Sequence, residues 1–95
     1  MPDAVAFTPP PDLTLLLAPD DTAHPVGPCD WTNRLGRREA GHVYVVVHRR
    51  HGLWTHVYRV VADARPGRLL AYLERAMPGD CVAEARAWAQ ARFMT

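Results

Sequence analysis

Four of the five histidines fall between residues 42 and 56, interleaved with Tyr44, Trp54 and Tyr58 and with the pair Arg49-Arg50. Imidazoles at this density can move protons, hold a metal or pack as half-polar rings. His42, His48 and His56 share parity, so on an extended chain they lie on one face. If residue 48 faces 54 and 46 faces 56, His48 and His56 are diagonal neighbours, roughly 7–8 Å apart at Cα, and two imidazoles could share a metal. A third ligand is missing, and neither HxH nor HxxxH spacing occurs. Packing against Tyr44, Trp54 or Tyr58 is the plainer reading, and no metal or cofactor is expected.

Other chemistry is thin. The chain has no serine, which excludes a Ser-His-Asp triad, and no GxGxxG or P-loop pattern, which argues against a phosphate cradle. Cys29 and Cys81 belong to no CxxC pair, so they read as two unrelated free thiols rather than a zinc or redox site. After residue 39 the carboxylates are Asp63, Glu74, Asp80 and Glu84; Asp63 and Asp80 each precede an expected helix and suit terminal or capping roles. No catalytic set emerges, and the chain is not expected to be an enzyme.

The residues that remain are those of a contact surface. Tyr44, Trp54 and Tyr58 share parity with the histidines, and Arg49 and Arg50 sit at the adjoining turn. Aromatic residues and arginine are enriched where interfaces concentrate their energy, which makes Tyr44, Arg49, Arg50, Trp54 and Tyr58 the candidate binding residues. The same set could stack bases of single-stranded nucleic acid and hold its phosphates. A third reading covers the aromatic face with residues 1–18 or with a second copy of the chain, since large rings exposed together make an unusual apolar patch.

The elements that must position these residues follow from patterning. Residues 42–48 and 53–61 are β-branched and aromatic runs around Arg49-Arg50-His51-Gly52, which predicts a β-hairpin over 42–61. A loop of odd length, with Gly52 left-handed, places Val43, Val45, Val47, Val57 and Val61 on one aliphatic face, and the aromatic rings and histidines on the other. Residues 13–18, apolar and bounded by prolines, suit a third strand. Pro66 followed by Leu69, Leu70, Leu73, Ala76 and Met77 predicts a helix over 66–77. Val82, Ala85, Ala89 and Phe93 predict a second over 80–93, with Asp80 as its cap. Residues 19–41, rich in proline and glycine, read as loop, with Asp30 capping a short helical turn. The expected fold is α+β: a small antiparallel sheet with two C-terminal helices packed on its aliphatic face.

Ninety-five residues suit one domain, here 13–95, preceded by a proline-rich acidic arm over 1–12. The net charge of +1 hides an asymmetry: residues 1–30 carry five acids and no arginine, whereas residues 31–68 carry eight arginines against two acids. The arm could fold back and neutralise the middle, or the middle could meet a polyanion. All eleven basic residues are arginine, which suggests a GC-rich bacterial genome and makes every basic group a planar fork. No apolar run approaches the roughly 20 residues that cross a bilayer, and Met1-Pro2-Asp3 opens no leader peptide, so a cytoplasmic chain without membrane contact is expected. The expected function is a small protein-protein interaction module that regulates or inhibits its partner, with a homodimer as one form. Nucleic-acid binding is the alternative.

Overall fold

Five consecutive buried residues, Val43, Tyr44, Val45, Val46 and Val47, mark the centre of the sheet. A strand buried on both faces needs cover on both sides, and the chain supplies two different covers. The computed structural model describes residues 10–62 and 69–94. Strands β1 (Thr22–Thr32), β2 (Arg38–His48), β3 (Trp54–Ala62) and β4 (Leu69–Pro78) form an antiparallel meander in sequence order, followed by helix α1 (Val82–Phe93). A 3-10 turn, Leu13–Leu15, precedes the sheet.

The two faces of β2 divide by parity, as the hairpin register requires. His48 pairs with Trp54, Val46 with His56 and Tyr44 with Tyr58, so an odd five-residue loop joins the strands. Gly52 in that loop has φ +99°, a conformation that costs other residues strain. On one face Val43, Val45, Val57 and Met77 pack with Ala85 and Ala89 of α1. The alanines let the helix axis approach the sheet closely. On the other face Tyr44, Val46 and Val60 pack with Leu13, flanked by Leu16 and Leu17. Leu13, Leu16 and Leu17 thus cover part of the aromatic face.

Five expectations are corrected. Residues 13–18 do not form a strand: Asp12 accepts a hydrogen bond from Thr14 N–H at 3.0 Å and starts a turn that aims Leu13, Leu16 and Leu17 at the sheet. Residues 19–41 are not loop alone, because β1 runs through Pro25, Gly27 and Pro28 as an edge strand, where a missing N–H can face away from the ladder. Asp30 consequently lies in β1, 3.8 Å from Arg38, and caps no helix. Among the described residues there is one C-terminal helix, not two, since residues 69–78 are β4. Asp80 does not cap α1 either. The N-cap is Cys81, and Thr55 ties the preceding turn by donating to Gly79 O at 2.7 Å and accepting from Cys81 N–H at 3.0 Å. Pro66, Asp63 and most of the arm (1–9) lie outside the described residues. Among the described residues no helix is long and apolar enough to cross a membrane.

Gly41 shows how tightly β2 is clamped. A Cβ there would stand 2.5 Å from Val60 O and 2.6 Å from the Trp31 ring. Backbone on one side and a packed indole on the other leave nothing free to yield. Gly41→Ala is expected to cost about 1–3 kcal/mol by overpacking, read as a lowered thermal midpoint. A variant as stable as the parent would mean that Trp31 does not rest on this strand.

Candidate binding cleft

Where the leucines stop, the aromatic face opens into a cleft of about 620 Å³. Leu16, Ala18, Trp54 and Ala76 supply apolar walls; Asp21, His48, His56 and Tyr58 line its floor, and Arg50 and His51 its rim. β2 and β3 deliver the floor through the cross-strand register, and the segment ahead of β1 delivers Asp21.

These polar side chains form a continuous hydrogen-bonded chain. Asp21 Oδ2 lies 2.8 Å from His48 Nδ1, His48 Nε2 lies 2.9 Å from the Tyr58 hydroxyl, and that hydroxyl lies 2.9 Å from His56 Nδ1. The Asp21 carboxylate is almost covered, with a side-chain exposure of 2%. Burial alone would raise its pKa, but the N–H groups of Ala18 and Arg49, at 3.0 and 3.2 Å, and His48 together hold it below the usual value. Burial and the neighbouring His48 push His56 down, so it resists charge. Burial and Asp21 push the Tyr58 phenol up, so it keeps its proton.

The proton order follows. An ionised Asp21 only accepts, so His48 Nδ1 donates to it. With His48 uncharged, its Nε2 accepts from Tyr58, the phenol oxygen accepts from His56 Nδ1–H, and His56 Nε2 is left with a lone pair. The two imidazole nitrogens that face each other are bridged by a phenol rather than poised for a metal. Among the described residues no three His, Cys, Asp or Glu side chains converge as metal ligands.

The sequence-predicted site residues separate here. Trp54, Tyr58 and Arg50 line the cleft, and Trp54 is 41% exposed. Arg49 stands beside it, its guanidinium 3.3 Å from Asp80. Tyr44 is buried, 5% exposed, with its hydroxyl 3.5 Å from Pro11 O and its phenol raised by desolvation. His42 lies with Tyr44, ring centroids 6.4 Å apart, away from the cleft. His48 and His56 are neighbours as their parity requires, with ring centroids 4.8 Å apart.

Asp21 is the member that sequence reasoning missed. Its partner is 27 residues away, and the only signal was the acidic stretch before a basic, histidine-rich middle. A second cluster was missed on the helix face. Arg59 Nε donates to Glu74 at 3.0 Å while its guanidinium lies 4.5 Å from the Trp31 ring centre and 5.6 Å from that of Tyr72. Its odd parity, a charge among aliphatics, was the signal. With ring faces and a carboxylate already engaged, Arg59 braces the sheet. Compared with family models, with curated proteins and with solved structures, the chain matches none.

Proposed function

We propose that this chain is a small, non-catalytic interaction module of the bacterial cytoplasm that binds a protein partner, and regulates or inhibits it, through exposed apolar residues at the β2–β3 turn and, at the other end of the sheet, on the β4 edge. One observation carries the reading: Leu53 and Trp54 at the turn and Leu70, Tyr72 and Leu73 on β4 are all exposed. The two edges of the sheet differ in the same sense. Each edge has one bulge, but β1 is also blunted by Pro25 and Pro28, whereas β4 carries no proline before Pro78. Arg50 and His51 add exposed polar groups beside the apolar turn, the mixture typical of interface rims.

Nucleic acid is the weaker alternative. With Tyr44 buried and the Tyr58 hydroxyl engaged by two histidines, Trp54 is the most exposed of the three rings that could stack on bases. The test is a pull-down from the source cell, with and without nuclease, using the parent and Trp54→Ala. A nuclease-resistant partner lost in the variant supports the proposal. Truncating a central aromatic is expected to cost about 2 kcal/mol, roughly thirtyfold in affinity, with circular dichroism unchanged. A nuclease-sensitive partner, bound with steep salt dependence, would replace protein by nucleic acid.

A further inference from the structure

The cleft shares Trp54, Arg50 and His51 with the turn but has the properties of a ligand site in its own right. Its volume of about 620 Å³ falls within the roughly 300–1,000 Å³ of small-molecule pockets. Apolar side chains form its walls and a few polar groups converge on its floor. Every ionisable group around it can be named. Asp21 comes from the segment before β1, His48 from the end of β2, Arg49, Arg50 and His51 from the loop, and His56 and Tyr58 from β3. β4 contributes Ala76, which does not ionise. The carboxylate of Asp21 is saturated by three donors, and Asp80 engages Arg49. Arg50 has no such carboxylate partner among the described residues, so the unspent charge at the rim is positive.

The floor responds to what it meets. In the uncharged chain His56 Nε2 is an acceptor, and it would repel a carboxylate oxygen. One added proton reverses every hydrogen bond beyond Asp21. His48 becomes doubly protonated beside the Asp21 carboxylate, its Nε2–H donates to the Tyr58 oxygen, and Tyr58 donates to His56 Nδ1. His56 then carries its proton on Nε2, facing the cleft as a donor, while remaining neutral. The positive charge rests next to Asp21 instead of on His56. No covalent bond between heavy atoms is made or broken; one proton enters from solvent.

We infer that the cleft binds a small monocarboxylic acid with an apolar body, its carboxylate between Arg50 and His56 Nε2, and that each molecule bound draws one proton into the Asp21–His48–Tyr58–His56 chain. Leu16, Ala18 and Trp54 take the apolar body. The inference does not rest on the protein-partner reading, because its test uses the purified chain alone.

The test is calorimetric titration with 3-phenylpropanoate, and with 3-phenylpropanamide as the uncharged control of the same shape. Measured in two buffers of different ionisation enthalpy at mildly alkaline pH, the acid is expected to take up close to one proton per site. Its affinity falls about tenfold per pH unit once the free chain is unprotonated, as one-proton linkage requires. The amide binds more weakly and without that slope. Arg50→Gln is expected to weaken the acid several-fold and leave the amide alone. His56→Gln retains a donor but cannot pass a proton, so its binding of the acid loses the pH slope. Circular dichroism of each variant separates misfolding from lost binding. Absence of saturable binding, equal affinity for acid and amide, or acid binding without proton uptake would each overturn the inference. So would a peptide ending in a free phenylalanine carboxylate that binds more tightly than the small acid, since the site would then belong to a partner's chain end.

Discussion

Val45→Asp is expected to abolish the cooperative unfolding transition of this chain, whereas Leu73→Asp leaves it within about 1 kcal/mol of the parent. Val45 has no solvent exposure and sits between Val57, Ala85 and Ala89, so a carboxylate there has neither water nor a partner. The cost is about 4 kcal/mol or more, comparable with the whole stability of a small domain at the low end of roughly 5–15 kcal/mol. Leu73 is the informative contrast. Helical spacing made it a core residue, but on β4 it is 53% exposed and an aspartate there meets solvent. Thermal melts followed by circular dichroism distinguish the two. A Val45→Asp protein that melts like the parent would refute the face assignment of β2, and an unfolded Leu73→Asp would refute the strand.

Why Leu73 misleads is a matter of one residue. Val57 pairs with Arg75 and Tyr58 with Leu73, so Glu74 is extra, a bulge in β4. Before it, Leu70 and Tyr72 share the helix-side face; after it, Arg75 and Met77 do. The bulge turns a spacing of two into a spacing of three between Tyr72 and Arg75, and a strand then reads like a helix. Prolines 66 and 78, placed where helix boundaries would stand, strengthened the illusion. β1 was hidden for the converse reason, since Pro25 and Pro28 are tolerated only because the strand is an edge, and edge position is a property of the whole sheet. Leu13, Leu16 and Leu17 had turn spacing within an apolar run too short to separate strand from turn. The β2–β3 hairpin was legible because each of its signals, β-branched runs, alternating parity and a glycine at the turn, is local. So was the α1 stripe through Val82, Ala85, Ala89 and Phe93. At the site, parity alone brought His48 and His56 together. Tyr58 as the bridge and Asp21 as the anchor depend on where the segment before β1 returns, which no local pattern encodes. Asp21, among the acids of residues 1–30, returns to His48 and the Arg49 N–H, while residues 1–9 of the acidic arm lie outside the described residues.

The same hydrogen-bonded chain sets how the fold responds to acid, and Asp21→Asn is expected to change that response. Asp21 is held below its ordinary value of 3.8, so on acidification the unfolded chain binds this proton first. Its stabilisation is complete above that value and drains away as pH falls through the folded pKa. His56, pushed below its ordinary 6.5, acts in the same direction but earlier, because the unfolded imidazole takes its proton before the folded one does. The parent should therefore begin to lose stability just below neutrality and lose more in the carboxylate range. In Asp21→Asn the amide turns an N–H₂ group toward donors that include Ala18 N–H, Arg49 N–H and His48 Nδ1–H. A buried donor left without an acceptor costs about 1–3 kcal/mol, so the variant is less stable at neutral pH. The gap should close at low pH, since a protonated Asp21 has little advantage over an amide. His56→Gln should remove the earlier decline and keep the later one. Denaturant melts of the three proteins across the acidic range test both limbs. Parallel curves for the parent and Asp21→Asn would show that this carboxylate does not anchor the chain of hydrogen bonds, and that the floor of the cleft is held by packing alone.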